Sequence, residues 1–192
     1  MNGKEVRVIV FLLIIGFLAD AYSVYLAENH RSNFKIFNGF ILFETLFLLW
    51  YFYIILPSKP LRFFIVTSAL IFSIIFFTSY FIINGNKHYL DNIAVIANII
   101  IIILCIIYFF RQITNSEPFD FQKNHMFWIV CAYFIYSAGT LFLFLYINTL
   151  PKSEQQNDYV LNYIFLIPKS ILLSIAMFMK NTIPPRKKFQ LT

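Results

Sequence analysis

Charge is what this sequence has least of. Acidic and basic side chains make up 12% of its 192 residues, where a soluble domain carries about 25%. With 60% of residues hydrophobic and 20% aromatic, a soluble fold has no way to keep so much Phe and Ile out of water. Cysteine is scarce too. Cys105 and Cys131 both fall in apolar stretches, where a thiol behaves as a small hydrophobe. That excludes a disulfide framework, and no Cys/His spacing resembles a zinc site. His30, His88 and His125 are isolated and fall near helix ends, as interfacial residues do. Also missing are a nucleotide loop, a nucleophile–base set and a metal constellation. No cofactor is expected. The formal charge of +6 is scattered over short polar gaps and the C-terminus. It makes no helix face or groove, so nucleic acid is not an expected partner and topogenic charge is.

What is present is apolar sequence in long blocks. A hydrocarbon core about 30 Å thick takes about 20 helical residues to cross. Six stretches are long enough, near 8–27, 34–56, 61–83, 91–110, 127–147 and 159–179. Breakers fill the gaps: Glu28-Asn-His-Arg-Ser-Asn33, Pro57-Ser-Lys-Pro60, Asn84-Gly-Asn-Lys87, Glu117-Pro-Phe-Asp120 and Pro151-Lys-Ser-Glu154. Blocks such as Ile99-Ile-Ile-Ile-Ile-Leu104 do not alternate, which excludes barrel strands. The expected fold is all-α, a polytopic transmembrane bundle of six helices. No internal repeat or long linker divides it, so 1–192 reads as one transmembrane domain.

Six spans put both termini on one side. That side collects Lys4, Arg7, Lys59, Arg62, Arg111, Lys123, Lys180, Arg186, Lys187 and Lys188, ten in all, against Arg31, Lys35, Lys87 and Lys152 opposite. The bias makes both termini cytoplasmic in a cell (inner) membrane. The tail at 180–192, with Pro184-Pro-Arg-Lys-Lys188, then lies at anionic headgroups, with an attraction of roughly 1 kcal/mol per basic residue. A competing reading takes Lys4, Arg7 and Ala19-Asp-Ala21 as a cleaved signal peptide. The apolar run continues through Tyr22-Ser-Val-Tyr-Leu-Ala27, and an acid between the alanines is unusual for such a site. The retained helix is the expectation.

Three ionisable residues fall well inside spans: Asp20, Glu44 and Lys169. A charge at the bilayer centre costs at least ~2.5 kcal/mol, so it faces the bundle interior and finds a partner. Glu44 is the eleventh residue of 34–56 and Lys169 the eleventh of 159–179. At about 1.5 Å per residue, both lie ~15 Å from the same end of the bundle, and Asp20 ~10 Å from it. The three are expected in one layer. Stripes of small and polar residues point inward with them: Gly16, Ser23 and Ala27; Ala94, Asn98, Ile101 and Cys105; Ala132, Tyr136, Gly139 and Thr140; Asn162, Lys169 and Ala176. Pro168 frees the carbonyl of Ile164. Lys169, Ser170 or a trapped water is expected to satisfy it. Asn98, Asn162, Tyr136 and Ser170 are the supporting polar residues of this candidate site.

The chain resembles a family of small multi-pass membrane proteins, six- to seven-helix and without an assigned activity. The likeness runs over most of the sequence. It includes Asp20 with Tyr25-Leu-Ala27, Phe43-Glu44, Tyr108-Phe109, Phe127-Trp128, Tyr136-Ser-Ala-Gly139, Phe142-Leu-Phe144 and Lys169-Ser-Ile-Leu172. Family members carry one more N-terminal helix, and an odd count would put the termini on opposite sides. The resemblance implies the fold and supplies no function.

Several functions fit these residues. A non-enzymatic sensory, regulatory or partner-binding module is the first. Its partners are the lipid bilayer, a small ligand and either another membrane protein or a second copy. A small-solute or proton-coupled transporter or channel is the alternative, since intramembrane acids and a Lys are parts of a relay. Against it, no inverted repeat is visible. A retinal-type Schiff base on Lys169 fails in detail: Phe165 stands where microbial rhodopsins carry Asp. For a membrane-embedded enzyme the acids lack His partners, so no reaction can be named.

Overall fold

The computed structural model describes residues 4–82, 90–114, 124–147 and 162–179. All regular structure among them is α-helical: α1 (Lys4–Glu28), α2 (Phe34–Ile55), α3 (Lys59–Ile82), α4 (Asp91–Thr114), α5 (His125–Ile147) and α6 (Asn162–Phe178). The first five are long and apolar enough to cross a membrane. The described part of α6 is shorter, 17 residues against the 21 expected at 159–179, and residues 159–161 of that expectation lie outside the described residues. So do His88 and the basic tail at 180–192.

Local chemistry sets the helix ends. After α1, His30 takes a left-handed conformation (φ 54°), and the Arg31 N–H bonds back to the Leu26 carbonyl at 2.8 Å, the closure typical of a helix C-terminus. Asn33 then donates through Nδ2 to Ser23 Oγ at 3.0 Å, tying the two sides of this turn together. α2 stops where Leu56 becomes extended, as the residue before a proline must. Pro60 lies in the first turn of α3, where a missing N–H costs no hydrogen bond. Asn124 Oδ1 accepts from Met126 N at 2.9 Å and caps α5. Asn38, buried on α2, accepts the Leu90 N–H at 3.1 Å and docks the start of α4.

The most extensive packing is of α6 on α5 and of α5 on α4; α1 packs on α2, and α2 also meets α3 and α4. α3 is the peripheral element. Its outer face carries Phe63, Leu70, Ile74, Phe77 and Phe81, all exposed on the protein surface, as a lipid-facing helix requires. Toward the end where α1 begins and α2 finishes, the bundle is filled. Ile9, Leu12, Leu49, Phe52, Ile65, Leu104, Tyr108, Ile129 and Ala176 belong to one buried core there.

Between α5 and α6 the approach depends on Gly139. A Cβ at that position would overlap the Phe165 ring, so the ring seats directly on the α5 backbone. On the inward stripes, Thr140 bonds both across to Asn98 Oδ1 at 3.4 Å and four residues back to the Tyr136 carbonyl at 2.6 Å. Hydroxyls outside the stripes also bond four residues back: Thr45 to the Ile41 carbonyl, Ser73 to Ala69, Ser170 to Leu166 and Ser174 to Ser170. Each donor is thus satisfied inside its own helix, the nearest acceptor available in hydrocarbon.

Candidate functional site

Glu44 and Lys169 meet. The Lys169 ammonium donates to Glu44 Oε1 at 2.7 Å, bridging α2 and α6, which are not among the closely packed helix pairs. Matching depth brings the two residues level, because both helices run in the same direction. The ammonium also lies 3.9 Å from the centroid of the Tyr136 ring and 4.8 Å from that of Tyr133. Both rings come from α5, three residues apart on one face. Lys169 is only 7% exposed, so carboxylate and ring faces replace its hydration shell.

This ion pair forms part of the wall of a cavity of about 500 Å³. α1, α2, α4, α5 and α6 all contribute residues to it, and α3 none. The lining lies in the half of the bundle where α1 ends and α2 begins, from Asn33 and Asp91 inward to Leu48 and Ile101. Beyond that depth stands the packed core. The hollow is one-sided.

Asp20 lines the same cavity from α1. It lies within electrostatic reach of Glu44 and Lys169, yet has no ion-pair partner within 4.0 Å among the described residues. The expected layer of three is therefore a bonded pair with a third acidic side chain standing off across the space. Gly16, one turn below Asp20, lets the Phe40 ring approach: a Cβ there would meet Phe40 Cζ at 3.2 Å.

The supporting residues are distributed differently. Tyr136 lies under the ammonium. Asn98 lines the cavity and accepts from Thr140 Oγ1 at 3.4 Å, a hydroxyl whose shorter bond, 2.6 Å, is to the Tyr136 carbonyl. Ser170 is at the cavity wall, but its hydroxyl goes to Leu166. Neither it nor Lys169 turns to the Ile164 carbonyl that Pro168 frees, because each has a nearer acceptor. The Asn162 side chain lies outside the described residues, as does that of Ala27. Of the histidines, His30 is exposed, whereas His125, the first residue of α5, is buried.

No protein-family model, curated protein or solved structure matches this chain. The site must be read from its own chemistry. Among the described residues, no group of three or more His, Cys, Asp or Glu is placed to hold a metal ion. The cavity walls are mostly apolar, with a few convergent polar groups, and its volume falls within the roughly 300–1,000 Å³ usual for small-molecule sites. Sequence reading missed Tyr133, Phe40, Ser137 and Asp91 as lining residues. Only Tyr133 carried a signal, its helical spacing from Tyr136.

Proposed function

We propose that this protein is a non-enzymatic sensory or regulatory module of a cell membrane that binds a small ligand in the Asp20–Glu44–Lys169 cavity. The observation that carries the reading is the one-sided hollow: charged and aromatic groups converge in one half of the bundle, and the other half is packed shut. A chamber confined to one half of the bundle suits recognition, whereas passage needs a path through both halves. In this reading both termini are cytoplasmic, as the basic residues favour, and the cavity lies in the outer half. A second membrane protein, or a second copy, receives the signal. The likeness to small multi-pass proteins belongs to the same reading and adds no activity.

A thermal-stability screen of the purified chain against small polar and amphipathic compounds tests it. Saturable stabilisation by one chemical class is expected, and it should vanish in Ala94→Phe, which fills the cavity wall without adding charge. Compounds that stabilise the variant equally well would sink the idea.

A transporter is the second reading. Pro168 lies beside Lys169 inside α6, and α6 packs most closely on α5 alone, an arrangement suited to a moving element. Proteoliposome uptake abolished by Glu44→Gln would favour this alternative.

A further inference from the structure

By formal charge the cavity lining is negative, with Asp20, Glu44 and Asp91 against Lys169. Lys169 is the only basic residue of the wall among the described residues, and its ammonium is already engaged by Glu44 at 2.7 Å and by the Tyr136 and Tyr133 rings. An anionic ligand would have to displace Glu44 from a nearly buried cation, leaving a carboxylate stranded in low dielectric. Asp91, the acid at the rim, stands in the first turn of α4, where the helix N-terminus stabilises negative charge. Asp20 has neither kind of support. It lies mid-helix in α1, exposed at the cavity wall, with no ion-pair partner within 4.0 Å among the described residues. A carboxylate so placed in a membrane span calls for a cation.

The rest of the lining says which kind. Phe17 is one turn from Asp20 on α1, Phe37 and Phe40 come from α2, and Phe144 from α5. Aromatic faces attract organic cations and pack their carbon skeletons. A bare metal ion has no use for them, and it wants several oxygen ligands. The volume of about 500 Å³ is also far more than one ion fills.

Resting on the ligand-binding reading above, we infer that the ligand is an organic monocation. It is an ammonium with an apolar or aromatic body, its charged end on the Asp20 carboxylate and its body among Phe17, Phe37, Phe40 and Phe144.

The test uses the full chain purified in non-ionic detergent and three probes of matched size: phenethylammonium, 2-phenylethanol and 3-phenylpropanoate. Sodium chloride alone is the fourth condition. The expected result is a saturable rise in Tm with phenethylammonium, and little or none with the other three. Asp20→Asn, an isosteric change at an exposed position, should weaken the ammonium response about ten- to hundredfold, the loss of one charge-assisted hydrogen bond. The neutral and anionic probes act on the unaltered protein, so the comparison holds even if the variant folds poorly. A response to 3-phenylpropanoate or 2-phenylethanol that exceeds the ammonium response would overturn the cation assignment and leave the binding module standing. A response to sodium alone would also overturn it, replacing the organic cation with a metal ion. An ammonium response unchanged in Asp20→Asn overturns the role of that carboxylate. If none of the conditions shifts Tm, both the assignment and the binding reading fail.

Discussion

Lys169 shows how one side chain is made tolerable in hydrocarbon. Its charge is met by a carboxylate from another helix and by two rings from a third, so the interaction joins α2, α5 and α6. Removing one member of a buried pair typically costs about 3–5 kcal/mol, because the other charge is left uncompensated. Glu44→Ala and Lys169→Ala should each destabilise the protein in detergent by about that much. The double variant should lose no more than the worse single, and additive losses would mean that the two side chains are not coupled. Counting residues from the helix ends is enough to anticipate this pair, since equal depth on two helices running the same way is arithmetic. The stand-off of Asp20 was not legible. Depth can be counted along a helix, but rotation and spacing across the bundle depend on every neighbour. Nor was the role of Tyr133: among 12 Tyr and 25 Phe, its helical spacing from Tyr136 places the two rings on one face but does not say that an ammonium lies against both.

At the scale of elements, the helices were the most legible part of the chain. Long apolar runs and clustered breakers set α2 to within a residue of its expected ends. The charged first turn of α1 and the polar last turn of α4 extend those helices beyond their apolar runs, because backbone hydrogen bonding continues into the headgroup region. Contacts between helices were less legible. Gly139 was expected on an inward stripe, but its partner Phe165 was not identified, because the fit is one of shape. Gly139→Ala should therefore press α6 away from α5 and cost about 1–3 kcal/mol, as overpacking does. Adding Phe165→Leu should recover most of that loss, measured as Tm of the two variants. If Gly139→Ala has no effect on Tm, the ring does not bear on the α5 backbone as described.

For the whole molecule, the single crossing by α2 places the turn before α2 and the turn before α3 at opposite faces. Ser32 lies in the first and Ser58 in the second. In intact cells, a membrane-impermeant thiol reagent should label Ser32→Cys and leave Ser58→Cys unlabelled until the membrane is opened. The native Cys105 is buried, and wild type sets the background from Cys131. The reverse pattern would invert the proposed orientation and put the cavity in the cytoplasmic half of the membrane.

The depth of Asp20 has an electrical meaning. It lies eight residues before the end of α1, about 12 Å along the helix axis. Allowing for the part of the helix that projects beyond a hydrocarbon core of about 30 Å, a cation reaching it crosses roughly a third of the membrane. A full crossing is worth about 2.3 kcal/mol per 100 mV, so a third is worth about 0.8 kcal/mol, close to a fourfold change in affinity. With the cavity in the outer half, a cation entering from outside and the cell interior negative, occupancy of the cavity would rise as the membrane polarises. The position of one carboxylate would then make ligand occupancy a report of membrane potential.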